Sequence, residues 1–125
     1  MILTKDIVLK EKNKLIFPSQ IFINGKYQDS SSGKIFDNIS PIDGKSINTI
    51  AFSQQQDVDL AVSVAKKSFE KGSWSKADPS FRKKVLLKFA DLLEVHKLEL
   101  SLLDTIDVGK TINDTYNSDI PASVD

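Results

Sequence analysis

Length, composition and charge exclude several classes of protein. The chain has 125 residues, of which 40% are hydrophobic and 8% aromatic, enough for the core of one domain and an argument against disorder. The 17 Lys and Arg residues balance the 17 Asp and Glu residues, so no basic field is available for nucleic acid or an anionic membrane surface. The sequence has no cysteine, which excludes disulfides, thiolate metal sites and a cysteine nucleophile within these residues.

The N-terminal residues 1–19 are predicted to form an arm. Thr4 is placed to cap a short helix over residues 5–13, and Pro18 ends whatever precedes it. Lysines and acidic residues interrupt the apolar ones, so the arm lacks the apolar core of a signal peptide. No apolar run in the chain approaches the roughly 18 residues that span a bilayer. We therefore expect a soluble cytoplasmic protein without a membrane or nucleic-acid partner.

The next segment is predicted to consist of short antiparallel strands. Asn24-Gly25 lies between two apolar runs, and this dipeptide is a strong hairpin signal because both residues tolerate positive φ. Turn and loop residues separate the later runs. The expected strands cover residues 20–24, 26–28, 34–39 and 46–52.

The hydrophobic period then changes to that of a helix. Ser53 and Gln56 fit a capping box, and Gly72 fits a left-handed stop. The stripe along one face of this helix comprises Val58, Val62, Ala65 and Phe69.

A second helical region begins at Asp78-Pro79, with Asp78 as the N-cap and Pro79 in the first turn. A shift of register near His96 predicts two helices or a kink, with Gly109 past the end. A last helix, capped by Asn117 or Ser118, is expected to run through Pro121. The broad apolar stripe of the second region comprises Val85, Leu86, Phe89, Leu92, Leu93 and His96.

Two candidate motifs have simpler structural explanations. Gly109-Lys110-Thr111 resembles the tail of a phosphate-binding loop, but Asp104 stands where the first glycine belongs and a helix precedes it. A glycine helix stop followed by a lysine explains the same residues. His96 has no second histidine or cysteine with which to share a metal, so a structural role is favoured.

Asp107 admits two interpretations. An acidic residue at a helix C-terminus is opposed by the helix dipole, so pairing with Lys110 or bonding to backbone N–H groups would explain it. Alternatively, its carboxylate is a hard oxygen ligand for a cation, and neighbouring backbone carbonyls complete the coordination. The other carboxylates are assigned to solvated helix faces; they are Asp57, Asp59, Glu70, Asp91, Glu94 and Glu99.

An ordered series of segments resembles the N-terminal portion of the NAD(P)-dependent aldehyde dehydrogenase superfamily, over about residues 20–125. The series comprises Phe22-Ile-Asn-Gly25, Ile39-Ser-Pro41 with Asp43-Gly44, Asp57-Val-Asp59, Ala61-Val62 with Ala65, Phe69 with Gly72-Ser-Trp74, Asp78-Pro79 with Arg82, Leu87, Ala90-Asp-Leu92, Glu99-Leu100, Asp107-Val-Gly-Lys110 and Asp119-Ile-Pro-Ala122.

The resemblance implies an α/β, Rossmann-like fold, in which residues 20–125 form an incomplete N-terminal part of the cofactor-binding domain. Family members oxidise an aldehyde to an acid: a cysteine thiolate attacks the carbonyl, hydride passes to NAD or NADP, and a glutamate assists hydrolysis. Those groups and the main nucleotide-binding strands lie downstream in the family. No catalytic or cofactor-binding residue is therefore expected here, and the chain alone is expected to be inactive.

Two kinds of site carry over from the resemblance. Some family members bind a monovalent cation, K⁺ or Na⁺, through positions that correspond here to Asn38, Ile39 and Asp107. Ala122 corresponds to a helix position that lines the substrate entrance. Within the superfamily, the chain looks closest to the amino-aldehyde group, including gamma-glutamyl-aminobutyraldehyde dehydrogenases.

The partner implied by the resemblance is the remainder of an aldehyde dehydrogenase chain, or a complementary fragment, within a homo-oligomer. The alternative is a free-standing interaction or oligomerisation module from a truncated or split gene. Its basis is the amount of apolar helix face, which exceeds what one small domain needs.

Overall fold

The structure, a computed structural model, describes residues 3–125. These residues divide into two units. The helical unit comprises residues 3–17, 39–45 and 85–125, and the strand unit comprises residues 18–38 and 46–84.

Two short sheets form the first part of the strand unit. Strands β1 (Ile21–Ile23) and β2 (Lys26–Gln28) pair antiparallel. Asn24 and Gly25 between them have φ values of 55° and 74°, as the hairpin prediction requires. Strand β3 (Ile35–Ile39), whose last residue belongs to the helical unit, pairs with β4 (Ser46–Ala51). The four predicted strands are thus confirmed: β2 has the predicted bounds, and the other three are each shorter by one residue at one or both ends.

Helix α2 (Gln55–Lys71) begins later than the sequence suggested. The N-cap residue is Gln54, and its backbone N–H donates to the Asp57 carboxylate at 2.8 Å. The predicted box of Ser53 and Gln56 is wrong because a carboxylate accepts this hydrogen bond more strongly than a neutral amide oxygen does. Gly72, at φ 81°, ends the helix as predicted.

Helix α3 (Pro79–Val95) begins as predicted, because the Asp78 carboxylate accepts the Ser80 N–H at 2.8 Å. The change of register at His96 is also confirmed. His96 separates α3 from α4 (Lys97–Val108), and Gly109 ends α4 at φ 80°.

The helical unit is organised around α4. Helix α1 (Lys5–Lys12) starts at Thr4, whose Oγ1 accepts the Ile7 N–H, and it packs against α4. Leu102 on α4 is 2% exposed. This leucine and Ala51 of the strand unit are the buried apolar residues among residues 3–125.

The last helical segment differs from the prediction. Helix α5 (Ile112–Asp114) is capped by Thr111, a π-helical turn follows over Thr115–Asp119, and α6 (Ile120–Val124) continues from it. Asn117 and Ser118 therefore lie inside the π turn and are not caps. Pro121 has no N–H for a carbonyl four residues earlier, so a change of bonding register just before it is physically reasonable.

The apolar stripes predicted for α2 and α3 are largely exposed. Val58, Val62 and Phe69 on α2, and Val85 and Phe89 on α3, all retain a large share of their surface. None of the helices found within residues 3–125 combines the length and apolar character needed to cross a membrane.

Candidate functional site

The end of helix α4 meets the turn that follows Ile39. Ser40 in this turn is buried, and its Oγ accepts the backbone N–H groups of Ile42 and Asp43 at 3.2 and 3.4 Å. A Cβ atom placed on Gly109 would lie 3.0 Å from Pro41 Cγ. The glycine therefore does two things: it adopts the left-handed conformation that ends α4, and it lets Pro41 approach.

The cation ligands expected from the resemblance fall at the ends of two elements. Ile39 is the last residue of β3, and Asp107 lies in the last turn of α4, with its side chain exposed. Both belong to the helical unit, where the packing of Pro41 on Gly109 brings the two chain segments together.

Asn38 is half-buried and belongs to the strand unit. Within residues 3–125, no three His, Asp or Glu side chains are grouped so that they could hold a metal ion. That finding concerns sites made of side chains, whereas the expected cation site combines one carboxylate with backbone oxygens. Cation binding at Asn38, Ile39 and Asp107 stays a prediction.

Lys110 anchors the segment beyond α4. Its Nζ atom lies 2.6 Å from Asp119 Oδ2, at the end of the π turn, a partner that the sequence did not indicate. This hydrogen bond is the main cause that raises the pKa of Lys110 above its ordinary value. Lys110 thus serves as a structural cation, and Gly109-Lys110-Thr111 forms a helix stop and a new cap, not a phosphate loop.

The π turn is fixed from the α4 side as well. Thr115 is fully buried, and its Oγ1 lies 2.9 Å from Thr105 Oγ1. The N–H of Ile120 bonds the Thr115 carbonyl five residues earlier, which defines the turn. These contacts place α6 and its exposed Ala122 directly after a well-anchored segment.

The assignment of Asp57 to a solvated helix face is wrong. It is 4% exposed, and its carboxylate accepts the backbone N–H of Ser31 at 2.8 Å in addition to that of Gln54. The Gln54 hydrogen bond is the largest cause lowering the pKa of Asp57, and burial opposes it. The partner Ser31 is 26 residues away, so no local pattern could have shown this role.

His96, for which the sequence favours a structural role, is not buried in a core. It is exposed between α3 and α4, and Nδ1 lies 3.0 Å from Glu99 Oε2. The contact joins the residue before α4 to the third residue of that helix, and the structural role of His96 stays a prediction.

Comparison with known families gives one extended match. The model of the aldehyde dehydrogenase family matches residues 27–125. The NADP/NAD-dependent aldehyde dehydrogenase PuuC of Escherichia coli (strain K12) is 39% identical over 109 residues, which cover 87% of this chain and 22% of PuuC.

Solved structures of aldehyde dehydrogenases superpose on nearly the whole chain. Gamma-glutamyl-gamma-aminobutyraldehyde dehydrogenase of Burkholderia cenocepacia J2315 superposes with a TM-score of 0.93 at 38% identity, over 98% of this chain and 25% of that one. An indole-3-acetaldehyde dehydrogenase in complex with NAD⁺ gives the same TM-score and coverage at 37% identity. The chain spans between 12% and 25% of the length of the first curated relatives it matches.

Proposed function

Since the chain belongs to the aldehyde dehydrogenase family and corresponds to the N-terminal portion of its fold, we propose that it is a segment of an enzyme that oxidises an aldehyde to a carboxylic acid with NAD or NADP. The family match over residues 27–125 carries this proposal. The NAD⁺ complex of the indole-3-acetaldehyde enzyme supports the cofactor class. A cytoplasmic location is part of the same proposal and rests on the sequence alone.

We also propose that these 125 residues do not catalyse the oxidation by themselves. The family's chemistry, as the resemblance implies it, requires a cysteine thiolate, and this sequence contains no cysteine. The role of the segment is then to supply the outer helices and lead-in strands that support a cofactor domain.

The proposed substrate class is an amino-substituted aldehyde. The similarity to the gamma-glutamyl-gamma-aminobutyraldehyde enzyme supports it. The indole-3-acetaldehyde enzyme is almost equally similar, so an aromatic aldehyde is the natural comparison substrate.

Two features of the site are proposed to serve the complete enzyme. Asn38, Ile39 and Asp107 would contribute oxygens to a K⁺ or Na⁺ ion, which the approach of the Pro41 turn to the end of α4 supports. Ala122 would line the substrate entrance, as the family resemblance implies, and its exposure on α6 is compatible with that role.

A second candidate function is that of an interaction module in a homo-oligomer. The exposed apolar residues on α2 and α3 favour it, because uncovered faces of this kind are association surfaces. A mass that rises with the concentration of the chain alone would support this alternative.

The proposal can be tested with a chimera in which this chain replaces the matching segment of the Burkholderia enzyme. We expect the chimera to reduce NAD in the presence of gamma-glutamyl-gamma-aminobutyraldehyde and the isolated chain to show no NAD reduction. The native Burkholderia enzyme is the positive control. A folded chimera without activity would contradict the aldehyde-oxidising role, and NAD reduction by the isolated chain would contradict its inactivity alone.

A further inference from the structure

Helix α2 has two faces that differ in burial. The first is partly covered: Asp57 is buried, and Ala61 and Val64 are partly buried in a helix that packs against β1. The second face, which we name the outer α2 face, consists of Val58, Val62, Ala65 and Phe69. At 3.6 residues per turn, it points about 100° away from the first. Its residues are exposed, with Val62 at 62% and Phe69 at 71%.

Residues 85–95 of helix α3, which belong to the helical unit, expose apolar side chains over a wider arc. Those exposed away from the stripe described next are Leu86, Leu87 and Val95. Ala90 and Leu93 are partly buried, whereas Val85, Phe89 and Leu92 are exposed at helical spacing, with Phe89 at 58%. We name these three residues the outer α3 face. The i, i+4, i+7 spacing is the pattern of a core-facing stripe, so the sequence places on this face the residues that normally contact another element.

The comparisons identify what could cover these faces. The chain matches the Burkholderia structure with a TM-score of 0.93 over 98% of its residues, yet it accounts for only 25% of that polypeptide. The chain therefore has the conformation that its counterpart takes in the presence of three times as much additional protein. This additional polypeptide is the occupant that the comparison supports, and self-association of the chain is the alternative outcome of the test.

We propose that the outer α2 and α3 faces bind the remaining three-quarters of an aldehyde dehydrogenase polypeptide, and that they do so even when it is supplied as a separate chain. This inference rests on the proposed function for the identity of the partner. It goes further by assigning the contact to two defined faces and by making covalent continuity unnecessary.

The test is co-expression of the tagged chain with the Burkholderia enzyme lacking its matching segment. We expect a stoichiometric complex on affinity purification, confirmed by mass measurement. Val62→Asp and Phe89→Asp place a carboxylate on each outer face and are expected to reduce recovery of the partner at least tenfold. Ser63→Asp and Leu87→Asp introduce the same side chain and the same change of charge at exposed positions off these faces, and they serve as matched controls. Circular dichroism checks that every variant retains its helices.

Several outcomes would overturn the docking proposal. One is the absence of the complex while the covalent chimera is soluble. Another is an equal loss of partner recovery for the face variants and their controls. The third is self-association of the chain that Val62→Asp abolishes. The assay also separates the two proposals. A complex that fails to oxidise any aldehyde would support docking and contradict the catalytic role. An active covalent chimera, when the separate chains form no complex, would support the catalytic role and contradict docking.

Discussion

Gly109 is the residue at which two constraints on this fold meet. Its φ of 80° belongs to the left-handed region, which costs an L-residue with a Cβ about 1–2 kcal/mol. The Pro41 ring occupies the space that a Cβ would need, at 3.0 Å. Gly44, in the turn of the same unit, has a similar φ of 69° but nothing within 4 Å of its Cβ position. The two glycines therefore separate the conformational constraint from the packing constraint.

Substitution of these glycines by alanine should have unequal effects. Gly44→Ala is expected to lower the free energy of unfolding by about 1 kcal/mol, through backbone strain alone. Gly109→Ala should cost about 1–3 kcal/mol more, because the new methyl group displaces Pro41. Urea unfolding followed by circular dichroism measures both values. Equal losses would show that Pro41 does not constrain the end of α4.

At the scale of elements, Asp57 connects the start of α2 to the loop after β2. The backbone N–H and the Oγ of Ser31 lie 2.8 and 3.1 Å from the carboxylate oxygens, and the Gln54 N–H occupies a further lone pair. One ionised side chain therefore caps the helix and holds the Ser31 loop. Protonation of this carboxylate would weaken both contacts.

The lowered pKa of Asp57 predicts acid sensitivity. A depressed folded-state pKa stabilises the fold above the unfolded-state pKa of about 3.9, and this stabilisation is lost as the pH falls through the lower folded-state value. The wild-type urea midpoint should therefore fall below about pH 4. Asp57→Asn should have a lower midpoint at neutral pH and a flatter acid limb. Asp59→Asn, which removes an exposed charge from the same helix, is the control. Parallel pH curves for wild type and Asp57→Asn would refute the role of Asp57.

Elements set by local residues were predictable from the sequence. Asn24-Gly25, Asp78 with Pro79, and Gly109 each determine a turn or a helix end through their own backbone preferences, and the structure confirms all three. Features that depend on distant contacts were not. Asp57 is buried because it also binds Ser31, far earlier in the chain.

The π turn and the candidate cation site show the same limit. The turn is secured by the Thr105–Thr115 contact and the Lys110–Asp119 pair, neither of which has a local sequence signal. For the cation site, Asp107 was a candidate on its chemistry, because it is an acidic residue at a helix C-terminus. Asn38 and Ile39 came only from the family resemblance, since backbone oxygens carry no sequence signature.

At the scale of the whole molecule, the sequence contains more apolar helix face than the described residues cover. The stripes on α2 and α3 were expected to face a core, yet Phe69 and Phe89 remain more than half exposed. Full burial of a Val, Leu or Phe side chain contributes about 1.5–3 kcal/mol. Covering the seven residues of the two outer faces would thus add substantially to stability. This uncovered apolar surface supports the proposal that the chain is a segment of a larger enzyme.

Hydrogen exchange of the α2 and α3 amides tests this conclusion most directly. The exchange rates would be compared between the isolated chain and the chimera with the Burkholderia enzyme. If the outer faces are covered in the complete enzyme, α2 and α3 exchange at least tenfold more slowly in the chimera, because added packing raises the free energy of local opening. Equal exchange of both helices in the two proteins would contradict the account.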